Sequence, residues 1–338
     1  MKKVLLLVVF WVSFFAFASE APYKALFLKD TNLLFKVNAL AWEEFKNQNK
    51  LDEMLAKLGG ASRFSGISES MLKELEEKLK AYKPLNYYAT MALQKDFLLG
   101  KVKQGKGVFF LLEVEQAVSP ELLMEIAGLI AQKEPFEFKR ADKGEYPAIE
   151  LNIKGEAFVV LLLDGGKSIV MCQTAELDDY IARYKKGNGE TPAKLTELET
   201  VGGEAKLSIA FAMPEGMGKY LADKAEKARE NDPMNATFMD TGAKLNGISL
   251  TVNPLQSKLD VKIGFLMETP EDAIQLKAFI FEGVLRPMFS LMTDSQGMPY
   301  AFVKNLAFSC ENRCALAKTF ITVGEIEQLF KMVTIMNP

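Results

Sequence analysis

The chain has no histidine among its 338 residues. That absence removes histidine-dependent triads, imidazole metal ligation and imidazole acid–base catalysis. Serine–lysine, carboxylate and backbone chemistry remain. Cysteine is scarce, at three residues. Without histidine to complete the ligand set, a thiolate metal site on Cys172, Cys310 and Cys314 is disfavoured, and no cofactor is expected. Positive charge shows no excess either: 41 Lys and Arg face 44 Asp and Glu, a net charge of −3. Mild acidity, with no basic stripe carrying interleaved aromatics, argues against a nucleic-acid partner. After the first residues, no apolar run is long enough to span a bilayer.

The one long apolar run is at the start. Lys2 and Lys3 form a positive n-region, Val4 to Phe15 an apolar h-region, and Ala16-Phe17-Ala18 a small-residue cleavage site. The run is shorter than the roughly 20 residues a spanning helix needs. It predicts a signal peptide over 1–18 and a mature chain that begins at Ser19, in the periplasm or secreted. Removing Lys2 and Lys3 leaves 39 basic against 44 acidic residues, or −5. No cysteine follows the h-region to carry a lipid. An oxidising compartment in turn favours disulfides. Cys310 and Cys314 flank Glu311-Asn312-Arg313, between two segments that read as strands. A three-residue loop would set them opposite each other within bonding range. Closing so short a loop would contribute about 2 kcal/mol. Cys172 lies in an apolar strand and reads as a buried thiol.

With 49% apolar residues, a chain of this length buries a large core. Its clearest structural signal runs from Phe136 to Gln173. FEFKRA, YPAIELNI, AFVVLLL and SIVMCQ are rich in β-branched and aromatic residues, and glycine-bearing turns separate them. A four-stranded antiparallel meander follows. Helices are expected after Ser119-Pro120, through Leu177 and Tyr184, from Glu215, and from Pro270 to about Met292. Thr322 with Glu325 makes a capping box for a last helix, with Ile326, Leu329, Phe330 and Val333 on one face. Two charged or apolar helices are also expected at 51–58 and 69–82. Residues 187–205 are polar and glycine-punctuated and read as a connection. GVFFLLEVEQAVSPELL and AKLSIAFAMPEGMGKYL share a strand–turn–helix rhythm. The reading is an α+β fold of two related modules, 19–186 and 206–338, each an antiparallel sheet with helices packed mainly on one face.

The opening strand–helix DTNLLFKVNALAWEEF and the closing strand–helix KTFITVGEIEQLF resemble those of a diffuse group of secreted bacterial proteins of unknown function. The resemblance covers most of the mature chain and rests on apolar pattern. It implies repeated α+β modules in the cell envelope and carries no activity with it.

Catalytic motifs are fragmentary. Ser70-Met71-Leu72-Lys73 matches S-x-x-K, but its S-D-N and K-T-G companions are absent, and the surrounding helix is highly charged. Carboxylate pairs at Glu43-Glu44, Glu76-Glu77, Asp178-Asp179 and Glu271-Asp272 sit at helix starts or on polar faces, where negative charge is favoured or hydrated. The function expected is a non-catalytic exported binding or scaffold protein of the cell envelope. A carrier of a lipid or other apolar small molecule is the alternative, and a carboxylate-based hydrolase is third. The partner is accordingly an envelope protein or an apolar small molecule. The helix after Pro270 supplies the candidate face. Ile274, Ala278, Phe281, Leu285, Met288 and Met292 form one apolar stripe, Pro287 predicts a kink, and Phe281, Met288 and Met292 are the candidate binding residues.

Overall fold

The four segments between Phe136 and Gln173 form the meander that their alternation predicts. The computed structural model describes residues 23, 25–28, 30–50, 74, 78, 81–101, 106–132, 136–153, 155–187, 191–203, 205–293 and 297–328. The expected signal peptide, the helix at 51–58, most of that at 69–82 (with Ser70, Lys73, Glu76 and Glu77), and Leu329, Phe330 and Val333 lie outside those residues. Among the described residues, no helix is long and apolar enough to cross a membrane.

The chain divides into two compact units. The first comprises Met1–Thr31, Phe35–Ala92 and Lys103–Pro192. The second comprises Asn32–Leu34, Leu93–Val102 and Ala193–Pro338. In chain order the first holds β1 (Leu33–Asn38, whose first residues belong to the second unit), α1 (Ala39–Asn49) and β2 (Pro84–Ala92). After α2 (Lys95–Leu98), which belongs to the second unit, come β3 (Lys106–Val114), α3 (Pro120–Ala131), β4 (Glu137–Lys143), β5 (Tyr146–Ile153), β6 (Glu156–Leu163), β7 (Ser168–Gln173) and α4 (Leu177–Lys186).

In the first unit the strands lie in the order β1-β2-β3-β7-β6-β5-β4, and the pairings from β2 to β4 are antiparallel. Successive side chains alternate between the two faces. Phe109, Leu111, Val159, Leu161, Val170 and Cys172 therefore share one face, where Leu177 and Tyr180 of α4 complete a buried cluster. Residues one step along each strand, Val160 and Met171 among them, face the other way, toward Leu123, Ile126, Ala127 and Ile130 of α3. The apolar spacing of α3 produces that underside. Ser119 begins the helix, its Oγ accepting from the Leu122 N–H at 3.3 Å, and Pro120 follows at the first helical position.

The second unit contains α5 (Ala193–Gly202), β8 (Leu207–Ala212), α6 (Met217–Ala228), α7 (Pro233–Ala243), β9 (Leu245–Leu255) and β10 (Lys258–Met267). They are followed by α8 (Pro270–Leu276), a π-helix (Lys277–Leu285), α9 (Arg286–Ser290), α10 (Ala301–Lys304), β11 (Ala307–Glu311) and β12 (Cys314–Thr322). The strand order is β8-β9-β10-β12-β11, antiparallel throughout. Both units are thus α+β, and both run strand, helix, antiparallel hairpin: β3-α3-β4-β5 and β8-α6-α7-β9-β10.

Two features differ from the sequence-based expectation. The polar stretch 187–205 contains α5, whose Leu195 and Leu198 are fully buried against the sheet. Two glycines let this helix approach. A Cβ on Gly247 would stand 2.6 Å from Leu198 Cδ1, and one on Gly264 would stand 2.6 Å from Val201 Cγ1. α8 and the π-helix pack on the opposite face, where Phe265 and Ala315 meet Phe281.

The second difference is a correction. Cys310 and Cys314 are not disulfide-bonded; all three cysteines are free thiols. The hairpin turns on two residues, Asn312 and Arg313, with Asn312 at φ 52°. That register pairs Cys310 with Ala315 and Glu311 with Cys314. A shift of one residue sends a strand side chain to the other face. Cys310 consequently packs with the Phe281 cluster, while Cys314 points to the side of α5.

The capping box forms as expected. Glu325 Oε2 accepts from the Thr322 N–H and Oγ1, each at 2.8 Å, and Thr322 Oγ1 accepts from the Glu325 N–H at 3.3 Å.

Candidate functional site

The segment from Thr269 to Tyr300 carries the candidate face, and its geometry begins with its cap. Thr269 Oγ1 accepts from the Asp272 N–H at 3.2 Å and donates to Asp272 Oδ2 at 2.7 Å. Lys244, just past α7, reaches Asp272 Oδ1 at 2.6 Å. These hydrogen bonds, from Lys244 first and Thr269 second, hold the Asp272 carboxyl below its ordinary range. The start of α8 is therefore fixed by a nearly buried, paired carboxylate.

Beyond Leu276 the helix widens. Pro287 has no N–H to offer the carbonyl of Gly283, so the α ladder cannot continue through it. The Arg286 N–H instead donates five residues back, to Phe281 O. Lys277 and Glu282, also five apart, form an ion pair at 3.4 Å. The expected kink is thus taken up as a run of π-helix, a form that usually occurs as single turns.

This widening divides the three candidate residues. Phe281 is buried, at 1% exposure, with its ring 5.2 Å from Phe265 and 4.9 Å from Phe308. Met267, Ala273, Leu276 and Ala315 complete its surroundings. Phe281 anchors the segment to the sheet and offers no surface. Met288 is 51% exposed, and Met292 is half-buried. Leu291, which is not among the three candidates, is the most open large apolar residue here, at 81%. Ile274 and Met298 are exposed as well. A reading at 3.6 residues per turn could not anticipate this, because the π-helix changes the angular step between Leu276 and Arg286.

The short α9 is held from behind. Phe289 meets Phe302 edge-on at 6.5 Å, and Phe302 stacks on the buried Tyr300 at 5.8 Å. Arg286 lies over the Phe308 ring at 5.4 Å. Thr293 pairs with Pro299 in an isolated antiparallel bridge. Met288 and Leu291, three apart on one helical face, project from this support. Polar side chains, Lys277, Glu282, Arg286 and Ser290, interrupt the apolar residues of the segment. Such a face can desolvate apolar surface.

The other sequence candidates do not assemble a site. Glu43 pairs with Lys46 on α1, Asp178 and Asp179 stand exposed in the first turn of α4, and Glu271 is exposed beside Asp272. No group of three or more potential metal ligands occurs among the described residues.

A different cluster in the first unit escaped sequence reasoning. Glu176 Oε1 accepts from the Gly107 N–H at 2.6 Å, and Arg183 Nε donates to Ala25 O at 2.9 Å. Glu176 Oε2 and Arg183 Nη2 are buried without hydrogen-bond partners. Burial raises the Glu176 carboxyl above its ordinary range and lowers the Arg183 guanidinium. It also pushes the nearby Cys172 thiol to about 12, which keeps that thiol protonated and unreactive. The cluster ties α4 to the start of β3 and to the segment at Ala25.

No protein-family model matches the chain, and no curated protein does. Among solved structures, crystal forms I, III and IV of TP0453 are similar. Each aligns with 91% of this chain and with 96%, 97% and 95% of its own length, at 8%, 8% and 7% identity and TM-scores of 0.43, 0.45 and 0.45.

Proposed function

We propose that this protein is an exported, non-catalytic binding protein of the cell envelope that engages a protein partner through the apolar face of α9. Export rests on the positive, apolar and small-residue regions of the first 18 residues. The observation that carries the binding reading is the pair Met288 and Leu291. Both are large, apolar and mostly exposed on a helix pinned from behind. Isolated exposed apolar residues are common. Neighbouring ones on a rigid support, rimmed by polar groups, mark interaction surfaces. Methionine suits that role because its unbranched side chain conforms to varied shapes.

The test is site-specific photocrosslinking from position 291 in the full chain, expressed in its own cells. A discrete crosslinked protein is expected, lost when Met288→Glu is added, while the melting temperature of Met288→Glu stays within about 2 °C of the parent. Crosslinks to lipid alone, an unchanged pattern with Met288→Glu, or unfolding by that substitution would each overturn the proposal.

A further inference from the structure

Under α3, in the first unit, an apolar cleft separates the helix from its sheet. Leu123, Ala127 and Ile130 line it from above, and Ile149, Leu151 and Ile153 from below. Every residue that lines it is apolar. Its cavity is about 40 Å³, room for no more than a few waters, in a place that offers water no partner. Alternate residues of β5 form the floor from Ile149 to Ile153, so the cleft follows the strand for four steps of about 3.4 Å, roughly 14 Å. The shape is long and narrow.

One end carries charge. Arg140 of β4 is paired in register with Ile149, the first floor residue. Two residues before it, Phe138 lies on the same face of the strand and approaches α3, its Cζ 3.7 Å from where a Cβ of Gly128 would stand. Arg140 thus projects on the α3 side, where its Nη1 meets Glu121 Oε1 of the first helical turn at 2.6 Å. Both side chains are more than half exposed. The pair crosses from roof to floor at the end of the cleft. A second pair, Lys78–Glu125 at 2.6 Å, fastens the outer side of the helix. Exposed pairs of this kind hold weakly, so α3 is a roof closed at its rim by replaceable ion pairs over a gap with no polar content.

From this we infer that the cleft is a binding site for a single-chain carboxylate, a fatty-acid-like amphiphile. The chain lies along β5 between Ile149 and Ile153 as α3 lifts, and the carboxylate pairs with Arg140 in place of Glu121. The apolar lining selects a hydrocarbon chain, and the guanidinium at one end selects an anionic head able to accept two parallel hydrogen bonds. Glu121 then competes with the ligand from within the chain. This site is independent of the face on α9.

The competition gives the two substitutions opposite effects. Titration of the full chain with the fluorescent probe 11-dansylaminoundecanoate should show saturable binding that dodecanoate displaces. Arg140→Gln should weaken dodecanoate about tenfold while leaving displacement by uncharged dodecanol unchanged, and Glu121→Gln should tighten dodecanoate severalfold. Both changes are at exposed positions, so neither should unfold the protein. Met288→Glu should leave the probe titration unaltered. Absence of saturable binding, equal response of dodecanoate and dodecanol to Arg140→Gln, or weaker binding in Glu121→Gln would overturn the inference. Loss of probe binding in Met288→Glu would place the ligand on α9 instead.

Discussion

Cys310 and Cys314 leave the β11–β12 hairpin from opposite faces, one opposite Ala315 and the other opposite Glu311. No side-chain rotation can join them, because the register itself separates them. Non-reducing peptide mapping should therefore recover the two cysteines unbridged. Burial pushes the Cys314 thiol up to about 11 and Cys172 to about 12, and raises Cys310 as well. Alkylation of the native protein at pH 8 should reach the half-buried Cys310 first, and the other two only after denaturant is added. A Cys310–Cys314 peptide pair in the map would refute the register.

Phe281 and Met288 share one apolar stripe in the sequence, yet their substitutions should behave oppositely. Phe281→Ala removes a ring packed against Phe265 and Phe308 and should cost about 3–5 kcal/mol in urea unfolding. Met288→Glu changes an exposed position and should stay within about 0.5 kcal/mol of the parent. Equal losses would mean that α9 is buried.

Asp272 sets an acid limit on the start of α8. Its folded pKa is lowered by Lys244 and Thr269, so it contributes stability above its unfolded value of about 3.9 and loses that contribution as pH falls below it. Asp272→Asn should cost about 1 kcal/mol at pH 7 and progressively less under acid conditions. Paired urea titrations at pH 7 and pH 3 measure the difference.

Glu176 should show the opposite sign. Burial raises its folded pKa, so the folded state holds the proton more tightly and the charged form is destabilising at neutral pH. Its unfavourable contribution is absent below the unfolded value of about 4.3 and grows as pH rises through the folded one. Glu176→Gln keeps an oxygen for the Gly107 N–H. The variant should be at least as stable as the parent at pH 7, with the advantage shrinking toward pH 4. A variant less stable at pH 7 would show that attraction to Arg183 outweighs desolvation.

Much of the fold was legible because it is local. The alternation in YPAIELNI, the turns around the meander, Pro at the first position of the helices at Pro120 and Pro270, and the Thr322–Glu325 capping box each depend on neighbours within a few residues. Those elements formed where the pattern set them. The helix at Pro233 carried a similar local signal, with Asp232 as its cap, but its apolar residues are too scattered to draw a stripe. α5 was missed for a related reason. Its sequence is polar, and two small positions in the opposing sheet, Gly247 and Gly264, let Leu198 and Val201 approach closely.

The binding face and the hairpin register were decided at longer range. Whether Asn312 and Arg313 make a two-residue turn, or Glu311 joins them in a three-residue loop, is not set by the turn residues alone. Pairing along β10, β12 and β11 decides it, and one residue of register separates a disulfide from two isolated thiols. Likewise, Pro287 determined that the α ladder must fail. It did not determine whether the failure would be a bend or a widened helix, and only packing of Phe281 between Phe265 and Phe308 fixes the turn. That anchoring sends Phe281 inward and leaves Met288 and Leu291 outside. The sequence by itself therefore determined the strands, the helix starts and the excluded chemistries, through local backbone preference and residue type. The tertiary structure decided which apolar side chains are core and which are surface, because burial depends on partners far away in the chain.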